Sequence, residues 1–188
     1  MNRYLVDLAI EILRLYPGQS KVKFAKLIYF THKELVRAKL VASEDLDFVR
    51  MPLGPVPTGF MALQEYKGIK ISQQATALMY NSQVYQYVGD EESQFSDEIK
   101  TNIAQTLKVL NRMSTTAIVD LAHKESSWKK YINGSTYQIS NDDLETSLPL
   151  RPRVGKEDDV NLQEQLVEGM LSDIVASSTS LEYPDDEQ

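Results

Sequence analysis

Two histidines, His32 and His123, are the side chains of this chain best suited to acid–base chemistry or to metal binding. His32 lies in an apolar segment that contains neither a second histidine one turn away nor an HExxH pattern, so a metal site is not indicated. His123 follows Val119 by four residues and is predicted to end a helix, where an imidazole suits the free carbonyls. A structural role is therefore favoured for both histidines, and an enzyme that uses either one is the weakest hypothesis.

Other chemical signatures point the same way. The absence of cysteine excludes a disulfide, a thiol nucleophile and a thiolate metal site. Neither the phosphate-binding patterns GxxxxGK[ST] and GxGxxG nor the serine elbow GxSxG occurs. The carboxylate pairs Asp45/Asp47 and Asp142/Asp143 are predicted to be solvated turn and cap residues. We expect no catalytic residue, no cofactor and no bound metal.

The net charge of −7 is distributed unevenly along the 188 residues. From residue 157 onward there is no Lys or Arg but there are ten acids: Glu157, Asp158, Asp159, Glu164, Glu168, Asp173, Glu182, Asp185, Asp186 and Glu187. Residues 1–40 are the most basic part, which makes a modest case for nucleic acid. Because the whole chain is acidic and lacks a DNA-binding motif, a nucleic-acid-associated regulator is only a weaker alternative.

Neither a membrane span nor a signal-peptide pattern stands out in the sequence. No stretch approaches the ~18 uninterrupted apolar residues that a membrane helix needs. The N-terminal residues run directly into an amphipathic pattern that contains Asp7 and Glu11. We expect a cytoplasmic protein without a membrane partner.

The first two elements are predicted to be helices. Apolar residues recur at helix spacing from Leu5 to Tyr16, and Pro17-Gly18 ends that pattern. Ser20 is a suitable cap for a second helix that runs to about Leu40. This second helix is apolar on more than one face, which predicts a central position in its domain.

A proline-rich segment, residues 51–57, follows a short predicted strand and is called the elbow below. Its sequence is Met-Pro-Leu-Gly-Pro-Val-Pro, and each proline fixes its own φ and biases the preceding residue away from helix. We expect a stiff, exposed loop that serves either as a structural corner or as a recognition surface. The predicted partner-binding residues in it are Met51, Pro52, Leu53, Pro55 and Val56.

The rest of the body predicts an α+β fold that is mostly helical, with a small antiparallel sheet. Residues 69–88 have strand character, with a hairpin turn expected at Asn81-Ser82. Ser96 and Ser140 are placed to cap two further helices, and another helix is predicted to begin near Ser114 or Thr115. Together these elements predict one compact domain over residues 1–147.

The C-terminal part is predicted to be an appendage to that domain. Residues 148–158 have the composition of a linker, 159–176 that of an amphipathic acidic helix, and 177–188 that of a disordered tail. The apolar stripe of the helix either closes the domain core or binds a groove on a partner. In the second case Leu166, Met170 and Ile174 are the predicted partner-binding residues.

Three segments in order resemble motifs of the Panacea domain. They are residues 26–32 (Lys-Leu-Ile-Tyr-Phe-Thr-His), residues 48–57, which include the elbow, and residues 122–130, where Ala122 stands in place of a common threonine. The resemblance runs from about residue 4 to residue 147. Tyr29, His32, Gly54, His123 and Trp128 fall on motif positions. We expect a structural role, in which His32, His123 and Trp128 pack together and hold the central helix against the elbow, rather than direct contact with a partner.

The resemblance implies an antitoxin of a bacterial or phage-associated toxin–antitoxin system, with no catalytic residues. We therefore expect a protein that binds and neutralises a cognate toxin by direct contact, through the elbow or through the acidic helix. The alternative is an adaptor that delivers the bound partner to a cytoplasmic protease for degradation.

Overall fold

The structure is a computed structural model, and it describes residues 1–75 and 81–148. Within these ranges the chain forms six α-helices: α1 (Arg3–Leu15), α2 (Lys21–Arg37), α3 (Asp97–Leu110), α4 (Thr115–Ala122), α5 (Ser126–Lys130) and α6 (Asn141–Glu145). The strands are β1 (Gln19–Ser20), β2 (Phe48–Met51), β3 (Gly54–Pro57), β4 (Ile69–Ala75), β5 (Asn81–Tyr87) and β6 (Thr136–Tyr137). Short 3-10 helices cover Ser43–Asp45 and Phe60–Glu65. The prediction of a mostly helical α+β fold is confirmed.

Helix α2 is the centre of the domain, as its sequence predicts. The Ser20 hydroxyl accepts a hydrogen bond from the Lys23 N–H and caps the first turn. Twelve of its 17 residues are buried, because α1, α3, α4 and strand β3 pack around it. The helix ends at Arg37, and Lys39 then takes a left-handed φ of 60°. The predicted end at Leu40 is therefore three residues too late.

The strands form two antiparallel sheets of three strands each, in the orders β1-β5-β4 and β3-β2-β6. Pairing between β4 and β5 extends from Ile69 opposite Tyr87 to Ala75 opposite Asn81. Asn81 and Ser82 therefore belong to a strand, and the predicted turn at these two residues is wrong.

The last described elements pack onto the second sheet and onto α2. Helix α6 begins with a capping box in which the Ser140 hydroxyl and the Asp143 carboxylate each bind the other residue's backbone N–H. Leu148 ends the described chain and packs against the hydrophobic core. In residues 1–75 and 81–148 no helix has the length and hydropathy to cross a bilayer. The predicted linker, acidic helix and tail, with Leu166, Met170 and Ile174, lie outside the described residues.

Candidate functional site

The elbow is a tight hairpin rather than a free loop. Met51 pairs with Gly54, so only Pro52 and Leu53 lie between strands β2 and β3. Pro52 is exposed, and Met51 and Leu53 are half-buried. Gly54 and Pro55 are buried against the domain. The expectation of a wholly exposed elbow is therefore wrong, because its second strand packs against the central helix α2.

His123 and Trp128 hold the tip of the elbow through its main chain. Their rings stack with centroids 4.0 Å apart and planes 23° apart. The Trp128 Nε1–H donates to the Met51 carbonyl over 2.9 Å, and His123 Nε2 lies 3.0 Å from the Pro52 carbonyl. That carbonyl only accepts, so the His123 proton must be on Nε2. Burial lowers the pKa of His123, despite the opposing effect of the bond to Pro52, and favours this neutral form.

Lys26 of α2 holds the second strand of the elbow. Its side chain is 1% exposed, and Nζ donates to the Pro55 carbonyl over 2.8 Å. Burial lowers the pKa of this ammonium to about 7. A Cβ on Gly54, whose φ is +95°, would lie 2.9 Å from Lys26 Cε and 3.0 Å from Ala122 Cβ. Only glycine therefore allows the elbow to lie this close to α2.

A buried ion pair joins α2 to the segment that carries Trp128. Lys33 Nζ and Glu125 Oε2 are 2.5 Å apart, with side chains 1% and 0% exposed. The Tyr29 hydroxyl donates to the same Oε2 over 3.2 Å. Burial lowers the pKa of Lys33 and raises that of Glu125, because both charges are removed from water. Breaking the pair would leave one charge uncompensated.

The sequence prediction missed Lys26, Lys33 and Glu125 as structural groups. Lys26, Tyr29 and Lys33 are spaced i, i+3 and i+7, which places all three on one face of α2. The sequence did contain a signal for these groups. Two lysines share one helix face with a tyrosine, and the helix is apolar on several sides. That signal predicts lysines whose charged ends need partners inside the domain.

His32 lies elsewhere and has different partners. It is fully buried, with Nδ1 2.8 Å from the Tyr4 hydroxyl and Nε2 3.4 Å from the Ser43 carbonyl. Its ring also packs near Phe48, at a centroid distance of 5.7 Å. Burial lowers the pKa of His32 to about 4, so the ring is neutral at physiological pH. His123 and Trp128 pack together as expected, but the expectation that His32 joins them is wrong.

Residues 24–129, more than half of the chain, match the model of the family described as antitoxin SocA-like, Panacea domain. The chain belongs to this family. Comparisons with curated proteins and with solved structures found no match. The matched residues contain most of α2, the elbow and the His123–Trp128 pair, so the described contacts lie within this Panacea domain.

An aromatic and basic surface adjoins the elbow of the Panacea domain. We call it the aromatic–basic face, and it consists of Arg50, Trp128, Lys129, Lys130, Tyr131 and Ile132. The Arg50 guanidinium lies 4.1 Å from the Trp128 ring centroid, and Lys130 Nζ lies 5.7 Å from that of Tyr131. Both geometries favour cation–π attraction. Ile132 is 77% exposed, the most exposed of the large apolar residues of the described chain.

Backbone contacts fix this face beside the elbow tip. The Gly134 N–H donates to the Arg50 carbonyl over 2.8 Å, and the Arg50 N–H donates to the Ser135 carbonyl over 2.9 Å. Because β6 pairs with β2 antiparallel, the loop that precedes β6 lies at the end of the sheet where β2 turns into β3. The elbow tip and the aromatic–basic face therefore lie at the same end of the second sheet.

The carboxylate pairs have local structural partners. The Asp45 carboxylate accepts from the Ala42 N–H over 2.9 Å, as expected of a cap residue. Asp143 is a cap residue too, but it is buried rather than solvated. Burial alone would raise its pKa, but hydrogen bonds from Ser127 and Ser140 hold the pKa below its ordinary value. In the part of the Panacea-domain chain that the structure describes, no three His, Asp or Glu side chains form a group able to hold a metal.

Proposed function

We propose that this chain is an antitoxin that neutralises a toxin by direct protein–protein contact. The proposed contact surface is the elbow tip together with the aromatic–basic face. Membership of the SocA-like antitoxin family supports a toxin as the partner in general. The location of the surface is supported by the geometry of the hairpin and its neighbours.

The observation that carries this proposal is the rigid support of an exposed turn. Pro52 has no backbone N–H, and its φ is fixed by its ring. Trp128 and His123 donate to the two carbonyls at the tip, and Lys26 donates to a third carbonyl in β3. A surface that is already ordered before binding avoids the entropy cost of ordering it in the complex.

The residue types on this surface suit a protein partner. Trp, Tyr and Arg are enriched in protein interfaces and at positions where truncation weakens binding most. Arg50 and Trp128 are half-buried and stacked, whereas Tyr131 and Ile132 are exposed to solvent. A supported aromatic centre with an exposed apolar edge is a suitable contact for a complementary groove.

The contacts of the N-terminal bases argue against nucleic acid as the main partner. Lys26 and Lys33 are buried inside the domain. Arg3 pairs with Asp7 and Glu91, and Arg37 pairs with Glu34. The basic character of residues 1–40 is therefore largely engaged within the fold, which leaves less charge for phosphates.

We propose no catalytic role for either histidine. The His32 ring is buried between Tyr4 and Ser43, where it has no route to a substrate proton. His123 is stacked on Trp128 and directs Nε2 at a carbonyl of its own chain. Both imidazoles hold neighbouring segments in place through hydrogen bonds.

The test is co-expression with the product of the adjacent open reading frame, scored by growth and by co-purification. We expect the unaltered chain to rescue growth, and Leu53→Glu with Ile132→Glu to lose rescue and weaken binding by roughly 30-fold or more. The matched control is Met61→Glu with Val88→Glu, because these side chains are 42% and 50% exposed and lie outside the proposed surface. Equal loss in both double variants, or in neither, would contradict the proposed surface. No rescue and no co-purification by the unaltered chain would reject the antitoxin itself.

A second measurement separates direct neutralisation from delivery to a protease. Direct contact predicts that the purified chain blocks the toxin without any other protein, while the half-life of the toxin in cells stays the same or lengthens. A toxin half-life that shortens only when this chain is present would favour the adaptor alternative.

A further inference from the structure

The cations of the aromatic–basic face have no carboxylate partner in residues 1–75 and 81–148. The ion pairs there involve Arg3, Arg14, Lys33 and Arg37, whereas Arg50 bonds only to an amide oxygen and a carbonyl. Lys129 and Lys130 are exposed beside it. Asp120 on α4 and Asp142 on α6 are exposed acids of the adjoining helices, and neither forms an ion pair with these cations. The face is therefore a local concentration of positive charge on an otherwise acidic chain.

The chain also contains a segment of the opposite character. Residues 157–175 include Glu157, Asp158, Asp159, Glu164, Glu168 and Asp173, and they contain no base. Leu162, Leu166 and Met170 recur between these acids at four-residue spacing. The segment therefore combines negative charge with an apolar stripe, which complements a face of cations and exposed apolar side chains.

The last described helix, α6, is attached to the helix that carries part of this face. Asp143 of α6 accepts hydrogen bonds from the Ser127 N–H and hydroxyl at the start of α5, so α6 is attached to the helix that carries Lys129 and Lys130. Leu148 is the last described residue and packs on the core. The eight residues between Leu148 and residue 157 can span about 30 Å when extended. A folded domain of this size has a radius of gyration of about 15 Å, so the face is within reach.

We propose that the acidic segment 157–175 docks on the aromatic–basic face of its own chain. The short connection raises the local concentration of the segment to the millimolar range, which favours its own face over that of another molecule. The docked segment shields Trp128, Tyr131 and Ile132 from solvent. It also neutralises Arg50, Lys129 and Lys130. A toxin that binds this face must displace the segment, or bind it together with the face.

Trp128 is the only tryptophan of the chain, so its fluorescence reports on the face directly. The experiment measures acrylamide quenching of the full-length chain alone, at low and at high salt. High salt should weaken docking and raise the quenching of Trp128. Replacing four acids of the segment should lower the docking equilibrium constant roughly threefold for each exposed ion pair lost, and should raise quenching at low salt to the high-salt level. The four changes are Asp158→Asn, Asp159→Asn, Glu164→Gln and Glu168→Gln.

Two controls match these changes in charge. Four acids nearer the C-terminus are replaced in one control, by Glu182→Gln, Asp185→Asn, Asp186→Asn and Glu187→Gln. On the domain side, Lys129→Glu with Lys130→Glu should raise quenching, whereas the exposed pair Lys67→Glu with Lys70→Glu should not. Unchanged quenching in the segment variant would overturn the proposal. So would an equal rise in the segment variant and the C-terminal control, or an equal rise in the Lys129/Lys130 and Lys67/Lys70 variants.

Zero-length carbodiimide cross-linking supplies a readout that does not depend on Trp128. Docking predicts cross-links from Lys129 or Lys130 to acids within residues 157–173. A mixture of ¹⁴N- and ¹⁵N-labelled chains should give cross-links within single chains. Mixed-isotope cross-links would identify a second copy as the occupant, and cross-links confined to other lysines would place the segment elsewhere; both results overturn the proposal. Because no toxin is present, these results are independent of the proposed function.

Discussion

The buried Lys26 predicts a specific dependence of stability on pH. Its pKa is about 7 in the folded chain, against 10.5 for an ordinary lysine, because burial disfavours the ammonium form. Between these two values the unfolded chain binds more protons than the folded chain, so the free energy of unfolding must rise with pH. Each pKa unit corresponds to about 1.4 kcal/mol, and integration from pH 7 to pH 9 gives about 2 kcal/mol for this one side chain.

The perturbation that isolates this effect is Lys26→Met, which keeps most of the side-chain volume and removes the titrating group. The variant loses the hydrogen bond to Pro55, which lowers stability at every pH by about 1–3 kcal/mol. It also loses the burial cost of the charge, which is largest at and below pH 7. The diagnostic quantity is therefore the change in unfolding free energy from pH 7 to pH 9, compared between the two proteins.

Urea unfolding followed by Trp128 fluorescence measures this quantity directly. The unaltered chain should gain about 2 kcal/mol more than Lys26→Met between pH 7 and pH 9. Lys67→Met, which removes an exposed lysine, should keep the full gain. A pH 7 to pH 9 gain in Lys26→Met equal to that of the unaltered chain would refute the assignment of a lowered pKa to this ammonium.

Three further predictions concern other buried groups and are read as free energies of unfolding. Gly54→Ala should cost roughly 1–3 kcal/mol more than Gly134→Ala. Both glycines have a positive φ, but a Cβ on Gly54 would crowd neighbouring side chains, whereas a Cβ on Gly134 has no atom within 4 Å. Equal costs would mean that the elbow can move away from α2. Glu125→Gln should cost about 3–5 kcal/mol because it leaves Lys33 buried without a counter-charge. Lys33→Met with Glu125→Leu should recover most of this loss. An unchanged free energy of unfolding in Glu125→Gln would disprove the ion pair. The pKa of His32 is about 4 in the folded chain, against 6.5 for an ordinary histidine, so the free energy of unfolding should rise by about 3 kcal/mol from pH 4 to pH 6.5. His32→Gln should remove this rise. A rise of the same size in His32→Gln would mean that the ring is charged in the folded chain.

Local chemistry made α2, α3, α4 and α6 predictable from sequence. Ser20, Ser96, Ser114 and Ser140 each cap a helix, and each hydroxyl accepts from the N–H three residues later. A cap depends on neighbours within one turn, so the sequence contains the whole signal. The two-residue strands β1 and β6 contain no such signal, because they exist only through pairing with distant strands.

The short strand predicted before the elbow is present as β2, and the elbow shows why β3 was missed. Prolines argue against a central strand, but β3 is the edge of its sheet, where proline is tolerated. Pro55 and Pro57 occupy alternate positions, and the Thr58 N–H continues the pairing by donating to the Asp47 carbonyl over 2.8 Å. Sequence alone predicts the stiffness of this segment, while its edge position is a tertiary property.

The site residues were predictable only where their motif positions were recognised. Tyr29, Gly54, His123 and Trp128 all lie in the contacts that join α2, the elbow and α5. The two buried lysines were missed because lysine is normally solvated, and only the finished packing shows which ones are enclosed. The predicted sites at Leu166, Met170 and Ile174 stay predictions, as do those in the elbow.

The way in which the elbow tip is held has a consequence for how such proteins diversify. Trp128 and His123 bind main-chain carbonyls, and every amino acid supplies the same carbonyl. Substitutions at Leu53, whose side chain takes no part in these two bonds, can change what the tip presents without altering its path. Under the proposed function, a domain built in this way can exchange one partner for another by a few surface substitutions while its scaffold stays the same.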